Sequence, residues 1–207
     1  EVTLTFVNTK MATITVVKQV VGPAPDDEWQ FTVLVGDNEI ATFTLPAGGG
    51  QQDLALEPGT YTITETTKPG YTCTVDEAET NVAEVVVQAG QSITVTFVNT
   101  AKATLTVVKQ VVGPVPDEDW EFTMGEETFT LSAAGGTKVF AVEPGTYTIT
   151  ETTKDGYTCT WFIDEGEPTE GNEAEVAVGP GDEVTLTFVN TKMATITVVK
   201  QVVGPAP

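Results

Sequence analysis

The chain has 207 residues, with 9 basic against 30 acidic side chains and a formal net charge of −21. Every basic residue is a lysine, and histidine is absent. This excludes catalytic triads and metal sites built on imidazole, and so acidic a chain has no electrostatic attraction for nucleic acid or an anionic membrane. The two cysteines, Cys73 and Cys159, are too few for a Cys-rich zinc site or a disulfide framework.

Residues 1–9 read as the last strand of a preceding repeat. The segments ATITVV, WQFTVLV, ATFTL, GTYTITETT, YTCTV, AEVVV and SITVTFVN then alternate apolar and polar residues with period two. Turn signals such as GPAPDD, GDNE, PAGGG, EPG, KPG and QAGQ separate them. Thr occurs 38 times and Ser twice, a β-branched skew that suits strands. Seven strands in about 91 residues indicate a β-sandwich. The scheme then recurs. Asn8, Asn99 and Asn190 are spaced 91 apart, as are Lys18, Lys109 and Lys200, and residues 1–25 recur unchanged at 183–207. The expected domains are repeat A over 10–100 and repeat B over 101–191, with 192–207 as the first strand of a following repeat.

Internal spacings differ between the repeats in a compensating way. Lys18 to Glu65 is 47 residues and Lys109 to Glu151 is 42, whereas Cys73 to Asn99 is 26 and Cys159 to Asn190 is 31. Five residues are lost and five gained, expectedly in hairpin loops. With no linker between the repeats, a stiff head-to-tail array is expected. No apolar run approaches the ~20 residues of a membrane-spanning helix. Neither a signal peptide nor a C-terminal anchor is read, and the chain reads as a window from a longer array.

Alternate residues of a strand share a face. Ile14, Val16 and Lys18 therefore share one row, Tyr61, Ile63 and Glu65 a second, and Ile93, Val95, Phe97 and Asn99 a third. Repeat B ends the same rows in Lys109, Glu151 and Asn190. One reading places each polar residue at a solvated rim, with the lysine stem lying along the apolar surface. A second is a buried, non-covalent polar cluster. The third is chemical. Desolvation lowers a lysine pKa and raises a glutamate pKa. A neutral Lys18 amine could then attack the Asn99 side-chain carbonyl, with Glu65 shuttling protons to the departing ammonia. Lys109, Glu151 and Asn190 would do the same. Asn8 and Lys200 are the corresponding candidates for links to flanking repeats.

The order of these residues resembles the Cna protein B-type domain. The matching segments are TVVKQVVG, EPGTYTITETTKPGY and TFVNT, and in repeat B TVVKQVVG, EPGTYTITETTKDGY and TFVNT. The resemblance implies tandem seven-stranded prealbumin-like or Ig-like sandwiches. It also implies the stalk of a bacterial surface adhesin or a Gram-positive pilin, extracellular and at the cell surface. Glu65 and Glu151 would be catalytic in single-turnover isopeptide formation, and Lys18–Asn99 and Lys109–Asn190 the cross-links.

Other features carry less. Each cysteine reads as a buried free thiol. The acidic turns Asp26–Glu28 and Asp117–Asp119 lack EF-hand spacing and read as solvated surface. Trp29 and Trp120 start core rows. Alternation through Trp161, Phe162 and Ile163 is expected to expose at least one of them.

The expected function is thus structural: a segment of a surface fibre, stalk or pilus-like filament, not an enzyme. The competing reading is a ligand-binding adhesin module with its contact surface in repeat B. Expected partners are flanking repeats of the same chain, neighbouring fibre chains and a surface receptor. No cofactor, metal, nucleic acid or membrane contact is expected.

Overall fold

The computed structural model describes residues 2–201 and 203–204. Their regular structure is entirely β, so no described helix is long and apolar enough to cross a membrane. The first compact unit is built on β1 (Ala12–Val21), β2 (Trp29–Val35), β3 (Asn38–Leu45), β4 (Gly50–Leu56), β5 (Gly59–Glu65), β6 (Tyr71–Val75), β7 (Ala78–Glu79), β8 (Val82–Val87) and β9 (Ser92–Ala101). The second is built on β10 (Ala103–Val112), β11 (Trp120–Met124), β12 (Glu127–Leu131), β13 (Gly136–Val142), β14 (Gly145–Glu151), β15 (Tyr157–Ile163), β16 (Thr169–Glu170), β17 (Glu173–Val178) and β18 (Glu183–Lys192).

Each unit is a two-sheet sandwich. In the first, one sheet runs β4-β1-β9-β6-β7 and the other β3-β2-β5-β8. The second has the orders β13-β10-β18-β15-β16 and β12-β11-β14-β17, the same topology displaced by nine strands. In the first unit β1 pairs antiparallel with β4 but parallel with β9, so the unit's first and last strands lie side by side.

The period-two pattern explains the layers. Along β1, Ala12, Ile14, Val16 and Lys18 are buried and the threonines between them are not. Trp29, Phe31, Phe97, Ile14 and Ile63 are completely covered, and each such side chain contributes ~1.5–3 kcal/mol. The Phe31 ring packs edge-on against Phe97 at 5.2 Å. Trp120, Phe122, Phe188, Leu105 and Ile149 fill the second core.

Each unit has two strands beyond the seven read from the sequence. β4 begins in a glycine-rich stretch that resembles a loop, and β7 is only two residues long. The indels also fall differently from the expectation. β2 and β3 have 7 and 8 residues where β11 and β12 have 5 and 5, so that deletion shortens the strands themselves. The insertion lengthens β15 to 7 residues against 5 in β6, and the rest extends the turn after it.

Residues 2–11 and 193–201 are exposed and carry no strand. The same EVTLTFVNTK that forms β18 is without regular structure at 2–10. β18 is held between β10 and β15; a strand needs such neighbours to form. Asn8 and Lys200 lie in these segments, away from either sandwich core.

Candidate functional site

Three strands of one sheet and one strand of the other converge on a polar cluster inside the first apolar core. β1 supplies Lys18, β9 supplies Asn99 and β6 supplies Cys73, while β5 presents Glu65 from the facing sheet. Lys18 is opposite Phe97 and Val20 is opposite Asn99, so Lys18 and Asn99 are diagonal neighbours on adjacent strands. Cys73 is directly opposite Asn99. All four point inward, because their rows alternate with outward threonines.

The residues read as rim candidates are therefore buried. Exposure is 2 % for Lys18, 0 % for Glu65 and 1 % for Asn99. Lys18 Nζ lies 3.5 Å from Glu65 Oε1 and donates to the Gln19 carbonyl at 2.8 Å. Trp29 roofs the amine, with its ring centroid 4.3 Å away. The Asn99 side chain lies beside the Glu65 carboxyl, and its Oδ1 accepts no hydrogen bond. Cys73 Sγ donates to Glu65 Oε2 at 3.1 Å.

The second unit repeats the arrangement. Lys109 Nζ is 3.4 Å from Glu151 Oε1 and donates to Asn190 Oδ1 at 2.8 Å. The amide carbon is only one C=O bond, about 1.23 Å, beyond that oxygen. Cys159 Sγ donates to Glu151 Oε2 at 3.0 Å, and Trp120 roofs Lys109 at 4.4 Å.

Backbone features hold both clusters. Asn81 Nδ2 donates to the Glu65 carbonyl at 2.6 Å, and Asn172 Nδ2 to the Glu151 carbonyl at 2.7 Å. Gly49 has φ of +104°, and a Cβ there would sit 2.6 Å from the Lys18 carbonyl oxygen. Gly135 has the same φ and the same relation to Lys109. Only glycine meets both demands. The two cysteines and two asparagines were not singled out as site residues by the sequence; their recurrence at matching places in both repeats is the signal that marks them.

Burial dominates the electrostatics. Desolvation pushes Lys18 and Lys109 below the ordinary lysine value, against the opposing pull of Glu65 and Glu151. It pushes Glu65 and Glu151 above the ordinary carboxyl value despite their thiol, lysine and amide partners. Both shifts run toward the neutral amine and the neutral acid. Burial, with the neighbouring glutamate, pushes the Cys73 thiol up to about 12 and raises Cys159 as well. The Lys18 and Glu65 side chains are wholly inaccessible, so an external substrate cannot reach them.

The remaining candidates lie elsewhere. Asp26, Asp27, Glu28, Asp117, Glu118 and Asp119 are exposed. Among the described residues, no group of three or more His, Cys, Asp or Glu side chains is arranged to hold a metal ion. Trp161, Phe162 and Ile163 are all half-buried, so none is fully exposed as alternation predicted.

Family comparison bears on the fold. Residues 100–188 match a family described as a prealbumin-like fold domain. The matched span coincides with the second repeat. Residues 14–102 match a separate family, described as a domain of unknown function (DUF5979). The prealbumin-like strand order of the second unit recurs in the first, and this is the fold that the motif resemblance implied. No curated protein matches the chain. Similar solved structures include the major pilin from Streptococcus pyogenes, at 17% identity over 91% of this chain and 100% of that one, with a TM-score of 0.37. The shaft pilin SpaA from Lactobacillus rhamnosus GG aligns at 12% identity over 91% and 100%, with a TM-score of 0.33. A Mobiluncus mulieris adhesin containing intramolecular disulfide, isopeptide and ester bond cross-links aligns at 14% over 81% and 85%, with a TM-score of 0.39.

Proposed function

We propose that the chain is a load-bearing segment of an extracellular surface fibre, stalk or pilus-like filament, and that each repeat locks itself with a Lys–Asn isopeptide bond. The observation that supports this reading is the buried Lys, Glu and Asn trio, which recurs in both units with the same Lys–Glu spacing, and in the second unit the amine also reaches the asparagine Oδ1. A structural ion pair gains little from so complete a burial. An amine and a carboxyl both biased to their neutral forms beside an unreacted amide are instead suited to condensation. The Lys18 Nζ lone pair attacks the Asn99 side-chain carbon. Glu65 takes a proton from the amine and gives one to the amide nitrogen. Ammonia leaves, and an amide joins the two side chains. Nothing is oxidised or reduced, and Glu65 ends as it began. Lys109, Glu151 and Asn190 do the same. The partners are flanking repeats of the same chain and neighbouring fibre chains. Asn8 and Lys200 would bond within such flanking repeats, where complementary strands and a glutamate are supplied.

The bond would join β1 to β9, the neighbouring parallel strands at the unit's two ends. Tension arriving along β1 would cross from Lys18 to Asn99 and leave at once. The 80 residues from Gln19 to Val98 would carry none of it. The load path from Asn99 to Lys109 is ten residues, at most about 36 Å extended, plus a bridge of ~10 Å. Single-molecule pulling should therefore reveal no unfolding steps below the force that ruptures covalent bonds. Steps releasing a contour of 80 residues would overturn the mechanical role.

A further inference from the structure

We infer that Cys73 and Cys159 are positioning residues for isopeptide formation: each thiol fixes one carboxyl oxygen of its glutamate and so presents the other to the lysine. The inference rests on the isopeptide reading above and assigns it a fourth participant.

The thiol–carboxyl contact recurs in both units, although Cys159 is half-buried where Cys73 is buried as expected, and its thiol also faces the Thr160 carbonyl at 3.8 Å. Cys73 Sγ reaches Glu65 Oε2 at 3.1 Å, and Cys159 Sγ reaches Glu151 Oε2 at 3.0 Å. In each case the other oxygen, Oε1, faces the lysine amine and makes no hydrogen bond. Each thiol is also the direct cross-strand partner of the reacting asparagine, Cys73 opposite Asn99 and Cys159 opposite Asn190. Opposed side chains in such a pair are ~4.5–5.5 Å apart at Cβ. The thiol thus stands beside the reacting amide while holding the carboxyl across the sheet interface.

A neutral carboxylic acid has one protonated oxygen and one acceptor oxygen. A thiol donating to Oε2 makes Oε2 the acceptor and leaves the acid proton on Oε1. That is the oxygen beside the amine, where a proton must be given and one received. The thiol neither gains nor loses a proton over the reaction. It is also a poor nucleophile here, because its raised pKa keeps the thiolate scarce. Both cysteines are free, and neither has a disulfide partner to explain its place.

The test follows bond formation in the full chain made by cell-free synthesis. Samples are quenched in acid denaturant and weighed intact. A Glu151→Gln background confines the mass change to the first repeat. Cys73→Val fills the space without a donor, Cys73→Ala removes the donor without adding bulk, and Cys73→Ser restores a donor. Hydrogen-exchange protection of β1 verifies folding of each variant. The Val and Ala variants should form the bond about tenfold more slowly, the scale of one lost hydrogen bond to a buried acid. The Ser variant should recover most of the rate. A Val variant as fast as the parent would overturn the thiol's role alone. A Ser variant no faster than Val would do so too, leaving size rather than donation as the requirement. A parent chain that never loses ammonia would instead remove the isopeptide reading and this inference with it.

Discussion

Glu65 carries a pH signature that separates a buried acid from a rim residue. In a Lys18→Met chain no bond can form, and burial of the carboxyl is unopposed by the amine. The folded pKa then stays above the ordinary 4.5. Below 4.5 the group is protonated in both folded and unfolded states. As pH rises through that value the unfolded state loses its proton first, so the folded state binds more protons and stability falls. The melting temperature of Lys18→Met relative to Lys18→Met/Glu65→Gln should therefore fall as pH rises from the acid side. A relative rise would contradict the assignment. At this scale the sequence was informative about Lys18, Glu65 and Asn99, because each ends an apolar row whose parity is unambiguous. It was silent on the thiol–carboxyl bond, since parity places Cys73 in the core but cannot say which strand of the opposite sheet it meets.

The parallel β1–β9 pair is the element on which the account turns. The bond would close a loop over the 80 residues from Gln19 to Val98. By analogy with a disulfide loop of that length, it should contribute roughly 4–5 kcal/mol. Asn99→Ala should lower the melting temperature of the first unit accordingly and open it to proteases, with the second unit unchanged. An unaltered melt would contradict a covalent closure. The adjacency of β1 and β9 was not legible, since period-two patterning gives faces and not neighbours. β4 was missed because Gly48, Gly49 and Gly50 read as a turn. In the structure Gly49 is the last residue of that turn, and its missing Cβ lets the backbone pass the Lys18 carbonyl. The segments around Asn8 and Lys200 carry the same strand pattern but have no strand neighbours within the described residues, and they are unpaired.

Over the whole molecule the 91-residue period was the strongest signal, because it fixed two units of one topology before any strand was assigned. Matching positions then act as internal controls: any role given to Lys18, Glu65 and Asn99 has to hold for Lys109, Glu151 and Asn190. Among the described residues the buried polar and charged side chains are these six and Thr187, so the proposed bond chemistry lies where solvent is excluded. The intact mass of the purified, unreduced chain tests this directly. The account predicts a mass below that of the sequence by two molecules of ammonia, one for each repeat, and by one in Glu65→Gln. A chain at its full sequence mass would contradict it and leave two buried, non-covalent polar clusters.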